Sequence, residues 1–429
     1  MSAIPLPEVV PRAIARRSIP LVALALLCGT AARDVLSPLQ ELMKTDLQIN
    51  DNQVAVLQGL AVALPLALVS IPLGRLVDRS TRTLILVALT LCSAAGCALT
   101  AVARDFPTMF LARMLVGVGA AAGTPAALSL ASDYSRIEIR GRIFSILGMG
   151  QVLGSALPFV TVGVLLSGLP SAFHGAIWLG DLAPWRLVQL VFAGGMVLTA
   201  LMLMSLREPV RKELGSEFGG SAMSALRELW TFRRVMLPLV LGIALVQMAD
   251  TAAGIWVVPL LTRVFHQTPE QFGGWMGGLI FVCGCSGTLL GGILADLCRR
   301  RGGHGGIIYG AMVAAVVSIA SSCMPIMPTA QLLACALGVF IVCGILATVL
   351  GSTAVVLILP NELRGISSSA INAISILVSF GLAPSLVSLL DEGMGSQGDI
   401  RVALVIVSMA TSVLGALAFY WAARASRKC

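Results

Sequence analysis

Gly74-Arg75-Leu76-Val77-Asp78-Arg79-Ser80-Thr81-Arg82 closes one long apolar run, and Gly292-Ile293-Leu294-Ala295-Asp296-Leu297-Cys298-Arg299-Arg300 closes another. The two segments share Gly, Leu, Asp and Arg at matching places, 218 residues apart. A second pair, Glu138-Ile139-Arg140-Gly141 and Glu362-Leu363-Arg364-Gly365, stands 224 residues apart, and each member again separates two apolar runs. Two echoes at nearly equal offsets mark an internal repeat, so the chain reads as one unit written twice.

The runs say where that unit lives. Of the 429 residues, 57% are hydrophobic and 12% charged, and the mean hydropathy is +0.93, which excludes an ordinary soluble globule. Stretches long enough to cross about 30 Å of hydrocarbon fall at 19–42, 53–74, 83–103, 108–132, 143–167, 186–206, 236–262, 272–297, 306–325, 330–359, 366–390 and 401–423. The expected fold is an all-α membrane protein of twelve transmembrane helices in two pseudo-symmetric six-helix bundles. The expected organisation is an N-terminal segment 1–18, a first bundle 19–206, a linker 207–235 rich in charge, Gly and Ser, a second bundle 236–423 and a tail 424–429. Arg12, Arg16 and Arg17 precede the first run as they would in a signal peptide. No small-residue cleavage site follows, however, so the run reads as a retained helix.

Twelve spans put both termini on one side. If that side is the cytoplasm, 22 of the 29 Lys and Arg lie there, and the exceptions are Arg33, Lys44, Arg104, Arg113, Arg186, Arg263 and Arg401. This is the positive-inside pattern, and it predicts a multi-pass protein of the plasma (inner) membrane with cytoplasmic termini. The formal charge of +8 is thereby a matter of topology, and no nucleic-acid partner is expected. The ten cysteines lie in apolar spans or at their edges without paired spacing, and His174, His266 and His304 stand alone in loops. Neither a disulfide nor a metal site is expected. No phosphate-cradling loop and no nucleophile–base pair occurs in the sequence, which argues against an enzyme and against a cofactor.

The Gly-x-Leu-x-Asp segments after spans 2 and 8 resemble the signature G-x-L-x-D-R-x-G-R-R of the major facilitator superfamily, and the resemblance covers the whole chain. Arg33, Leu57-Gln58-Gly59, Gly74 to Arg79, Arg113 through Gly117 and Gly119, Trp185-Arg186 and the segment Trp256 to Arg263 look like its spinster-like branch. Two departures stand out. Where that branch has an Asp-Arg pair in the first helix and a Glu after the fourth-helix Gly-x-Gly, this chain has Ala32-Arg33 and Ala120. Asp34 takes over the lost acid only if the helix is rotated or distorted there. The fifth span, Gly150 to Pro158, also lacks the Gly-Pro pair of drug antiporters.

A charge inside a bilayer costs at least about 2.5–3.5 kcal/mol, so each one calls for a reason. Arg33, Asp34, Arg113 and Asp250 qualify, and the resemblance places helices 1, 4 and 7 around a central cavity. Arg33 and Arg113 suit an anionic group, because a guanidinium presents a rigid fork of donors. Asp34 and Asp250 are the candidates for binding a proton. Gln58, Gln151 and Gln247 are either cavity hydrogen-bonders or links between helices. The resemblance further implies a cytoplasmic gate. In it Gly74 and Asp78 meet the start of span 11, Arg79, Arg82, Asp133 and Arg140 form a charge network, and Asp296, Arg300 and Arg364 are its counterpart in the second half.

The expected function is secondary transport of a small organic anion or amphiphilic metabolite by a monomer embedded in the lipid bilayer, with proton coupling through Asp250 or Asp34. An uncoupled facilitator and a lysolipid flippase of the spinster type are the alternatives.

Overall fold

The computed structural model describes residues 12–121, 123–135, 139–172, 182–209, 231–359, 361–395 and 399–427. Every regular element among them is helical, because hydrocarbon offers no partner to a free N–H or C=O and a helix pairs its own. Twelve helices among the described residues are long and apolar enough to cross a membrane. They are α1 (Arg17–Leu47), α2 (Asp51–Val69), α3 (Arg82–Val102), α4 (Phe106–Tyr134), α5 (Arg140–Leu169), α6 (Pro184–Leu203), α7 (Arg233–Arg263), α8 (Pro269–Gly303), α9 (Gly305–Ile326), α10 (Ala330–Ile358), α11 (Ala373–Gly393) and α12 (Ile400–Ser426). An even number returns the chain to the side it started from, called here the terminal face, and the opposite side is the distal face.

The helices begin and end where local chemistry dictates. On the distal face Asn50 and Gln53 form a capping box, as do Thr268 and Gln271, with Pro269 at the first helical position. Each satisfies two donors that a helix start leaves over. Three breaks are equally local. Helix α1 tightens into a 3-10 turn at Ser37–Leu39, which contains Pro38. Helix α2 is interrupted at Gly59 and resumes as Leu60–Arg79. Gly302 and Gly303 (φ 59°) part α8 from α9. The first span therefore runs past the expected 42 to Leu47, bent, and α8 past the expected 297 to Gly303. Of the expected linker, residues 210–230 lie outside the described residues.

The buried apolar side chains fall into separate clusters. Towards the terminal face one cluster comes wholly from α1–α6 (Val22, Leu86, Leu130, Leu147, Leu203). Another there comes wholly from α7–α12 (Ile243, Ile307, Leu350, Phe419). Towards the distal face the cluster around Trp256, Phe272 and Phe340 of the second half also takes in Ala55 and Phe159 of the first. The halves thus share a core on the distal side.

Candidate functional site

At the distal face the halves are joined by charge. Arg263, in the last turn of α7, sends Nη2 and Nε to Glu41 (2.7 and 3.1 Å) and Nη2 and Nη1 to Asp51 (2.7 and 2.8 Å). Lys44 adds its Nζ to Asp51 at 2.6 Å. One planar fork meets two carboxylates of the other half, a geometry open to Arg and closed to Lys. Deeper in, Gln58 donates to Gln40, Gln40 donates to the Ile255 carbonyl (2.8 Å) and Ser37 to the Gly254 carbonyl (3.3 Å). Asn52 of α2 pairs with Glu392 of α11. Small residues let backbones touch beside these bonds. A Cβ at Gly163 of α5 would lie 2.9 Å from Glu270 of α8, and one at Gly277 of α8 would lie 2.9 Å from the Ala156 carbonyl. Further towards the terminal face, Gly141 and Gly148 of α5 and Gly292 of α8 have no neighbour within 4 Å of that position.

In the middle, the first half presents an ion pair to the second. Arg33 Nε and Nη2 bond Asp34 Oδ1 and Oδ2 at 2.7 and 3.1 Å, and Ser155 of α5 donates to Asp34 Oδ2 at 2.7 Å. The guanidinium lies 5.1 Å from the ring centre of Phe380 of α11. Arg33 keeps 27% and Asp34 21% of its side-chain surface exposed. The pair is therefore made but within reach of solute, at a seam between halves.

Arg113 is different. It is 1% exposed, and its fork goes to the carbonyls of Leu57 (Nε, 3.3 Å), Ala32 (Nη1, 3.4 Å) and Arg33 (Nη2, 2.8 Å). These carbonyls sit where α1 and α2 break, at Asp34 and Gly59, and so lack the N–H that an unbroken helix would supply. Arg113 braces two helix breaks.

Asp250 sits near the middle of α7 against Gly344 of α10, and its Oδ1 is buried with no hydrogen-bond partner among the described residues. Gln151 donates to Thr124 within the first half (2.8 Å), and the backbone carbonyl of Gln247 accepts from Thr251 (2.8 Å).

The terminal face holds a compact network inside the first half. Arg82 pairs with Asp133, with Glu208 (Nε, 2.8 Å), with Ser129 Oγ (3.0 Å) and with the Pro209 carbonyl (3.1 Å). Thr83 donates to Glu208 through its hydroxyl (2.6 Å) and its backbone N–H (3.0 Å). Burial works against the Glu208 carboxylate, but the donors of Thr83 and Arg82 outweigh it and hold the carboxyl below its ordinary value. The expected meeting of Arg82 with Asp133 is present, and Glu208 and the chain beyond α6 join it. Arg140 is half-buried at the start of α5. Gly74, Asp78 and Arg79 lie on helical backbone, as does Arg364, but their side-chain placement lies outside the described residues. Asp296 and Arg300 are exposed and make no ion pair among the described residues.

A model of the Major Facilitator Superfamily matches residues 22–384. The chain belongs to that superfamily. It is a multi-pass membrane transporter and not an enzyme, and alternating access of two halves is the mechanism its architecture fits. Among solved structures of the superfamily, a bacterial homologue of the human lysosomal transporter Spinster, inward-facing and unoccupied, has the same fold. Its TM-score is 0.80 at 21% identity, over 97% of this chain and 98% of that one. The occupied inward-facing form gives 0.79 at 20% identity, over 98% of both chains. The nucleoside transporter NupG gives 0.71 at 15% identity, over 94% and 99%. One curated relative, the 3-(3-hydroxy-phenyl)propionate transporter of Escherichia coli strain K12, is 34% identical over 133 residues. That match spans 31% of this chain and 32% of the relative's length.

Within this superfamily member, sequence reasoning missed the distal lock. Glu41, Asp51 and Arg263 lie at span ends, where a charge costs little and draws no notice. The signal was the breach of positive-inside bias at Arg263 and Lys44.

Proposed function

We infer that this transporter carries a small organic anion, a carboxylate on an apolar or aromatic body, and that Arg33 is its anchor. The observation that carries this is the Arg33–Asp34 pair, partly exposed at the seam and stacked on Phe380 of the other half. A guanidinium already holding a carboxylate has the geometry to hold a substrate's instead. Phe380 adds an aromatic face for the apolar body. The relative that carries a phenylpropionate derivative supports the same class. Arg113 drops out as an anchor, since it is 1% exposed and its fork already holds three backbone carbonyls.

The excess of Lys and Arg on the terminal face supports a cytoplasmic location for both termini in a plasma (inner) membrane. With that orientation, the joined distal face and the terminal-face clusters confined to one half each support an inward-open state. The two bundles of a single chain complete the cavity, so a monomer suffices.

The test is a thermal-shift titration of purified protein with 3-phenylpropionate, lysolipids, sugars and organic cations. Ligands of the folded state raise its stability. Stabilisation by the carboxylate in wild type, lost in Arg33→Ala and kept in Arg113→Lys, supports the reading. Equal stabilisation of wild type and Arg33→Ala by the carboxylate sinks it.

A further inference from the structure

We propose that Asp250 binds the coupling proton, at a site in the second half separate from the Arg33–Asp34 pair. This rests on the transport reading above and adds its energy source.

Two pairs on the seam between α7 and α10 carry the argument. Ile243 of α7 fits against Gly351 of α10, and one heptad on, Asp250 fits against Gly344. At Gly344 a Cβ would overlap the Asp250 carboxyl, so the glycine makes the space the carboxyl occupies. At the equivalent place along the seam the sequence puts isoleucine, which packs without any polar atom to satisfy. An acid there brings an acceptor, Oδ1, that is buried and unpartnered among the described residues. Packing does not need it, and a buried polar atom without a partner is a cost that calls for a ligand.

In the arrangement seen here the alternative acid is engaged. Both oxygens of Asp34 hold partners, Arg33 and Ser155. A proton also suits Asp250 better than a metal cation, which needs several oxygen ligands. No group of three His, Cys, Asp or Glu stands together among the described residues. The Cys343 thiol of α10 is its titratable neighbour. Asp391 and Glu392 of α11, Arg401, Tyr420 and Arg424 of α12 and Glu270 of α8 stand near the ends of their helices, and Asp296 of α8 lies two turns from its end. Asp250 itself is only partly buried, which leaves a side from which the proton can reach it. The step balances simply: a proton from water on one side joins the carboxylate oxygen, and the same proton leaves to water on the other.

The test uses the full chain in lipid vesicles, read by infrared difference spectra on a pH change and by uptake of 3-phenylpropionate against an imposed proton gradient. Wild type should show a protonated-carboxyl band that Asp250→Asn lacks, that Asp250→Glu restores, and whose pH midpoint Gly344→Ala shifts. Gradient-driven accumulation should fall about ten-fold in Asp250→Asn, to the level without a gradient. An unchanged band in Asp250→Asn, or full accumulation by it, overturns the proposal. Should wild type fail to accumulate the acid while Asp250→Asn still loses the band, the proton site stands and the carboxylate reading falls.

Discussion

At the distal face Arg263 is held by Glu41 and Asp51 of the opposite half, whereas at the terminal face Arg82 is held by Asp133 and Glu208 of its own half. Each is one arginine between two acids. Their exposure differs: the Arg263 side chain is 30% exposed and the Arg82 side chain 3%. Exposed ion pairs contribute about 0–1 kcal/mol each, which suits a contact that must open in every cycle. A buried pair gives up about 3–5 kcal/mol when one partner is removed, which suits a contact inside a body that moves as one piece. The same side chains serve as latch in one place and as frame in the other, and the surrounding packing sets which.

Arg82→Ala should therefore have the largest effect on stability, about 3–5 kcal/mol from Asp133 left buried without its partner, read by thermal unfolding of purified protein. Spin-label distances across both faces should stay as in wild type. A change of those distances without a loss of stability would break the comparison.

Arg263→Ala should do the reverse. It leaves Glu41 and Asp51 without the guanidinium they share, with Lys44 still on Asp51, and should shift the population towards a distal-open state by about 1–2 kcal/mol at little cost in melting temperature. Distances between labels on α1 and α7 at that face measure it, and Arg263→Lys should recover only part because the fork is lost.

Acid sharpens the contrast. The Glu208 carboxyl lies below its ordinary value of 4.5 in the folded protein. Its contribution is therefore fully present above that pH and lost as pH falls through the lowered folded value. Wild type should lose on the order of 1 kcal/mol more than Glu208→Gln over that acid range, measured as the difference in melting temperature. The smallest effect belongs to Asn50→Ala, which removes a cap inside one half and should cost about 0.5–1 kcal/mol. It should leave the open face unchanged in the same label measurements.

The arginines and acids of the spans are legible in the sequence alone, because charge in hydrocarbon is costly wherever it falls. Their jobs are not. Arg33 and Arg113 carry the same warrant in sequence, yet one faces solute beside Phe380 and the other fills the carbonyl vacancies of two broken helices. Nothing local to Arg113 reveals that Leu57 and Ala32 lie beside it. Gln58 likewise reads as a polar residue in a span and becomes, through Gln40, a link to the Ile255 carbonyl of the other half. Glu208 escapes notice because it lies past the last apolar residue of α6, where an acid carries no penalty.

What the sequence determined by itself is the part of the physics that acts along the chain. Runs of apolar residues as long as a bilayer is thick become twelve helices, the repeated Gly-x-Leu-x-Asp segments pair their halves, and caps and glycines mark the ends and breaks. What only the tertiary structure decided is which groups meet across the halves: Arg263 with Glu41 and Asp51, Arg33 with Phe380, and, within the second half, Asp250 with the bare backbone of Gly344. Hydrophobicity is read one residue at a time, whereas these contacts join residues up to hundreds of positions apart. They depend on how helices and whole bundles are tilted against each other.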